Sequence, residues 1–154
     1  MILETERCVI RPMTMEDADD LHAVLSDGEA MKYIEPAFDG ARTQAFIQEA
    51  GLCVPPLIYA VVWRATGRVI GHVVFHPYDA TAYEIGWILN RKYWGRGIAG
   101  ELTAALVSRA RELNAVSCVI ECDPQQAASR RIAIKHGFAR EGTSDGLEVY
   151  RLML

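Results

Sequence analysis

At 154 residues, 51% hydrophobic and 23% charged, the chain has the size and composition of one globular domain, 1–154, and not of a disordered segment. Sixteen Lys+Arg against 20 Asp+Glu leave a net charge of −4, which excludes the basic excess of a nucleic-acid binder. No apolar run approaches about 18 residues, so no membrane span is expected, and the acidic start 1–7 lacks the basic-then-apolar order of a signal peptide, so a cytoplasmic protein is expected.

Residues 8–13 read as a first strand. Thr14 is a hydroxyl N-cap with Asp17 three residues on, and Ala18, Leu21 and Leu25 form a helical stripe that Asp27-Gly28 closes. Residues 31–40, with Tyr33, Pro36 and Phe38, read as a loop. A second helix is expected over 42–50, stopped by Gly51, with a break at Pro55-Pro56. The β-rich runs 57–64 and 68–75 flank Ala65-Thr66-Gly67, a hairpin signal, and 82–89 completes a three-stranded antiparallel meander. Beyond the loop 90–97, Ile98, Leu102, Leu106, Ala110 and Leu113 share one helical stripe that ends near Asn114. A strand is expected over 116–121 and a helix over 127–135. His136-Gly137-Phe138 then leads into a last strand region, and Asp145-Gly146 turns into a closing strand over 149–154. This order is an α+β signature.

Cys8, Cys53, Cys118 and Cys122 contain no CxxC pair and read as buried thiols of a reducing compartment. His72 and His76 lie four apart on a strand without a carboxylate or thiol at ligand spacing, so no metal site is expected.

Gly95-Arg96-Gly97-Ile98-Ala99-Gly100 is literally G-x-G-x-x-G. At a helix start such a loop offers free N–H groups and a positive dipole end to a pyrophosphate. Glu121, 21 residues past Gly100, even suits a dinucleotide site. Against that reading, five residues separate strand and first glycine, the loop follows an antiparallel meander, and only 33 residues follow Glu121. No Gly-Lys-Ser or Gly-Lys-Thr marks a phosphate-loop nucleotidase.

Glu84-Ile85-Gly86-Trp87-Ile88-Leu89, Tyr93-Trp94-Gly95-Arg96-Gly97-Ile98-Ala99-Gly100-Glu101, Gln126-Ala127-Ala128-Ser129-Arg130-Arg131 and Lys135-His136-Gly137-Phe138 follow one another in the chain. In that order they resemble the GNAT superfamily of N-acetyltransferases, in particular its RimJ/RimL-type branch. The resemblance runs from Leu3-Glu4-Thr5-Glu6-Arg7 to the terminal hairpin. It implies an α+β GNAT fold: a mixed sheet of six to seven strands, helices on both faces, and a splay between the fourth and fifth strands, 82–89 and 116–121.

The resemblance further implies acetyl transfer from acetyl-CoA to a primary amine by direct attack, with no metal, no nucleic-acid or membrane partner, and a homodimer as a common assembly. Backbone N–H groups of Trp94, Gly95, Arg96, Gly97, Ile98, Ala99 and Gly100 would hold the pyrophosphate. Arg91, Lys92, Arg96, Arg130 and Arg131 would add charge, and Gln126 and Ser129 would touch the cofactor. Trp94 stands where the family has Gln or Arg, Gln126 where it has Asn, and Ala133 where many members carry an acidic tyrosine. Those departures keep open a catalytically silent CoA-binding regulatory module. The pantetheine arm would lie along Trp87, Ile88 and Leu89 like an added strand, with Gly86 as a point of close approach or a bulge, and an N–H near Ile88 would meet the oxyanion.

A primary ammonium must lose a proton before attack. Glu84, on the same face as Gly86 and Ile88, is the expected base, made more basic by a half-buried cleft. Ser129 matches the serine of the branch's Asn-x-x-Ser pattern, and the resemblance implies that it orients or protonates the leaving thiolate; capping its helix is the rival role. The resemblance places the acceptor pocket at the first helix–loop region and the final hairpin, with Tyr33, Glu35, Phe38, Glu84, Trp87, Asp145 and Glu148 as the candidates.

Overall fold

Short-range patterns build the sheet first. The computed structural model describes residues 1–154. Its strands are β1 (Leu3–Glu4), β2 (Cys8–Arg11), β3 (Ile58–Trp63), β4 (Val69–Pro77), β5 (Ala82–Leu89), β6 (Ser117–Cys122), β7 (Ala139–Ser144) and β8 (Leu147–Met153). They form one sheet in the order β1-β2-β3-β4-β5-β6-β8-β7. Every pairing is antiparallel except β5 with β6. The sheet is mixed, as expected, but has eight strands instead of six to seven. The additional one is the two-residue β1, too short to carry an alternation pattern.

Alpha-helices α1 (Ala18–Leu25), α2 (Gly28–Met31) and α3 (Gly40–Phe46) lie between β2 and β3, with a π-helical turn over Ile47–Gly51. The Thr14 backbone N–H donates to Asp17 Oδ2 at 2.8 Å, as the capping pattern requires. Asp27-Gly28 does not only stop α1. The Asp27 carboxylate accepts the Glu29 N–H at 3.0 Å and starts α2, within residues expected to be loop.

Helix α4 (Ile98–Glu112) follows β5, and α5 (Ala127–Lys135) follows β6. Ile98, Leu102, Leu106 and Ala110 of α4 are buried with Ile10, Val61, Ile85 and Tyr150, whereas Leu113 lies past the helix and is exposed. The other sheet face carries a second core of Leu21, Val24, Leu25, Met31, Phe38 and Ile47 against Ile58 and Ala60. Helices therefore cover both faces.

The sheet opens in its middle. Parallel pairing of β5 with β6 covers only Ala82 with Ser117, Tyr83 with Cys118 and Glu84 with Val119. From Ile85 on, β5 has a partner only on its β4 side. This is the expected splay between the fourth and fifth long strands.

Candidate active site

The glycine loop joins the open end of β5 to α4. Gly95 and Gly97 hold φ of 74° and 76°, the left-handed region that costs glycine little. With the chain turned this way, the N–H groups of residues 95–100 donate to no other backbone group. They are the orphan donors of a helix N-terminus, concentrated by the turn before it. Trp94, in place of a polar family residue, acts as a tie within the fold. Its indole N–H donates to the Leu89 carbonyl at 2.9 Å and fastens the loop to the strand.

A distant segment fixes the same loop. Arg7 donates from Nη1 to the Arg96 carbonyl at 2.8 Å and from Nε to Glu101 Oε1 at 2.8 Å. Glu101, in the first turn of α4, also accepts from the Thr5 hydroxyl at 2.5 Å and the Arg7 N–H at 3.0 Å. Burial works against the Glu101 carboxylate, but the Thr5 and Arg7 donors outweigh it and hold its pKa below the usual range. Sequence reasoning missed this network, because its members are about ninety residues apart.

A cleft of about 780 Å³ runs from this loop into the splay. Its walls include Trp87, Ile88 and Leu89 of β5, Trp94, Gly95, Gly97, Ile98, Ala99 and Gly100 of the loop and α4, and Gln126 and Ser129 of α5. Eleven of the expected cofactor contacts therefore surround one space. Arg131, Lys135 and His136 add cationic or titratable groups, and Tyr33 also lines the cleft. The His136 ring approaches α4 at Gly100, where an added Cβ would meet Nε2 at 3.2 Å.

Backbone parity decides which β5 groups are open. Asn90 N–H donates to the Ile70 carbonyl at 2.7 Å. By the two-residue period, Ile88 and Gly86 also turn their N–H and C=O to β4, while Ile85, Trp87 and Leu89 turn theirs into the splay. The Ile88 N–H is thus directed away from the gap; of the N–H groups near Ile88, those of Trp87 and Leu89 face it. Gly86 forms no bulge, since the β4–β5 register is unbroken, and a Cβ there would meet only the Val74 side chain at 3.6 Å.

At the inner end of the splay lies a smaller cavity of about 160 Å³, walled by Ile34, Val74, Glu84, Gly86, Trp87, Ile88, Glu121 and Ser129. Glu84 shares this face with Gly86 and Ile88, as alternation requires. Its carboxylate is 2.9 Å from His76 Nε2, so it faces a ring and not only an apolar wall. Ser129 lies where the two cavities meet, in the first turn of α5. It is not the helix cap: Gln126 holds that position and accepts the Asp123 N–H through Oε1 at 3.0 Å.

Several expected contacts lie elsewhere. Phe38 is in the second core, packed edge-on to Phe46 with Arg42 over its ring, and does not reach the cleft. Glu148 accepts the Tyr150 hydroxyl at 2.7 Å and faces Arg130 at 3.9 Å and Arg140 at 3.8 Å, so it and Arg130 pair with each other and line neither cavity. The Arg96 guanidinium covers the Tyr93 ring instead of entering the cleft. Arg91 pairs with Asp27 at 3.2 Å, and Glu35 lies 3.8 Å from Arg42. Asp145 occupies the β7–β8 turn with φ of 50°. No group of three or more His, Cys, Asp or Glu is placed to hold a metal, and no helix is long and apolar enough to cross a membrane.

Comparison with known proteins identifies this arrangement. The model of the acetyltransferase (GNAT) domain matches residues 7–139. The uncharacterized N-acetyltransferase YnaD of Bacillus subtilis is 32% identical over 146 residues, covering 92% of this chain and 85% of its own. The crystal structure of a GNAT-family acetyltransferase from Bacillus anthracis superposes with a TM-score of 0.90 at 28% identity, covering 99% of this chain and 98% of that one. An acetyltransferase of Salmonella typhimurium that modifies the N-terminal serine of ribosomal protein L7/L12 shares the fold at 19% identity, with a TM-score of 0.83 and coverage of 100% and 99%. Strand splay, glycine turn and family model coincide on the same residues, and the chain belongs to the GNAT family of acetyltransferases.

Proposed function

We propose that this protein transfers the acetyl group of acetyl-CoA to a primary amine, either a protein N-terminal α-amine or a small-molecule amine, in the manner of the RimJ/RimL-type branch. The observation that carries the reading is the convergence of three unsatisfied backbone features on one cleft: the loop N–H groups of 95–100, the start of α5, and the unpaired side of β5. A diphosphate answers the first, and an extended amide-bearing arm answers the third. The two αL glycines fit the group, since at Gly95 the space is open where a Cβ would be. Acetyl-CoA supplies an activated thioester; the chain supplies position and proton handling.

The incoming ammonium enters beside Tyr33, Ile34 and Trp87 and loses a proton to the Glu84 corner, directly or through water. The amine nitrogen then attacks the thioester carbon, and the oxyanion is met by the Trp87 or Leu89 N–H. Collapse breaks the C–S bond. The second nitrogen proton neutralises the thiolate, with the Ser129 hydroxyl as the nearby donor at the junction of the cavities. A screen of peptide N-termini, polyamines and aminoglycosides with acetyl-CoA, read by thiol release, tests this. Saturable release with one amine class supports it; calorimetric acetyl-CoA binding with no release from any amine leaves a CoA-binding module instead.

A further inference from the structure

His76 and Glu84 are partners in the β4–β5 register, one strand apart on the face that carries the inner cavity. His76 Nε2 lies 2.9 Å from Glu84 Oε2, and Nδ1 lies 2.9 Å from the carbonyl oxygen of Pro77. Both ring nitrogens therefore face oxygens that only accept. A neutral imidazole has one N–H and leaves one of these contacts as lone pair against lone pair, whichever tautomer it adopts. One more proton on the pair satisfies both. The geometry is thus built to hold a proton, and the side chains are 22% and 25% exposed, open enough to exchange it with water.

The surroundings leave the pair to itself. The β3 neighbours at this end of β4 are Leu57 and Ile58, which are apolar. On the β6 side the charged group is Glu121, whose Oε1 accepts the Tyr78 hydroxyl at 2.7 Å. Ile34 closes the cavity from the loop after α2. No lysine or arginine forms an ion pair with Glu84. The hydrogen bond to Glu84 raises the His76 pKa, and the Pro77 carbonyl helps, against the opposing effect of burial.

We propose that His76 and Glu84 act as one proton acceptor, in which Glu84 contacts the amine and His76, a positioning residue behind it, stores the proton. In the resting base form the ring is neutral and the carboxylate charged. The N–H bond of the substrate ammonium breaks, its proton passes through the Glu84 carboxylate to Nε2, and the electron pair stays on the nitrogen that attacks. After product leaves, the imidazolium returns the proton to water. This rests on the reading of Glu84 as the base. The titration belongs to the pair, and the active form prevails above the raised pKa.

Two measurements test the pair separately from acetyl transfer itself. NMR titration of the imidazole Cε1–H signals, in wild type and Glu84→Gln without substrate, is expected to show His76 titrating above the ordinary histidine range and dropping by about one pH unit when the charge is removed. A titration of His76 that is identical in both proteins overturns the proposal. The second measurement is the pH profile of kcat/KM with the best amine from the screen, for wild type and His76→Gln. Glutamine still donates an N–H to Glu84 but stores no proton. The acidic limb is expected to move down by about one pH unit and the plateau to fall by about tenfold, with calorimetric acetyl-CoA affinity unchanged. Superimposable profiles overturn the proposal. A wild type that acetylates no amine refutes the acetyl-transfer reading instead, and the NMR arm then decides the pairing alone.

Discussion

His72 is a base buried with no acid to meet. The residue is 2% exposed, and its ring packs 5.3 Å from the Phe46 ring with no hydrogen-bond partner at either nitrogen. Burial pushes its pKa down to about 4 from 6.5. The unfolded chain takes up this proton near 6.5 and the folded chain only near 4, so the stability is whole at neutral pH and lost as pH falls through that window. The difference corresponds to on the order of 3 kcal/mol. Urea denaturation of wild type and His72→Met is expected to show wild type losing about that much more stability between pH 6.5 and 4. Four residues on, His76 has the opposite shift, because a carboxylate meets it. The sequence shows the same residue type twice on one strand; only the neighbours brought by folding distinguish them. Glu84→Gln is expected to lower kcat by about 10²–10⁴-fold while calorimetric acetyl-CoA affinity holds, since the carboxylate is in the small cavity and not at the glycine loop.

Strand β5 is positioned by a glycine on its neighbour. A Cβ on Gly71 would lie 2.0 Å from the Ile88 carbonyl oxygen, a backbone atom that cannot step aside without moving the strand. Gly71→Ala is therefore expected to cost about 3 kcal/mol in denaturant unfolding and to weaken acetyl-CoA binding by displacing the open side of β5. The glycine loop depends on the N-terminal segment in the same way. Arg7 is 35% exposed, so its ion pair with Glu101 contributes modestly to stability; its larger effect is on loop order. Arg7→Ala is expected to reduce acetyl-CoA affinity about tenfold, equivalent to about 1.4 kcal/mol, with a smaller change in thermal midpoint. Calorimetry beside thermal unfolding separates the two effects. The elements themselves were largely readable: residues 82–89 and 127–135 fold over the expected bounds because their periodicity is local. Residues 28–31 were not, since four residues carry less than two helical turns of pattern.

The cleft joins β5, the glycine loop, α4 and α5, which exist together only in the folded chain. Acetyl-CoA should therefore bind the native state alone and raise its stability by linkage, by about 2.7 kcal/mol at 100-fold excess over Kd. For a chain of this length the thermal midpoint is expected to rise by about 5–10 °C, read by calorimetry with and without ligand; an unchanged midpoint contradicts the assignment of the cleft. By itself the chain's order of strands, turns and glycines determined the α+β class, the glycine turn before α4 and the face shared by Glu84, Gly86 and Ile88, because each follows from spacings of a few residues. Tertiary structure alone decided the rest. Phe38 went to the core through Phe46, Ile88 turned its N–H from the gap, Arg7 reached Glu101, and Glu84 met His76. Those outcomes depend on hydrogen-bond parity between strands and on contacts between segments far apart in the chain, which no local spacing encodes.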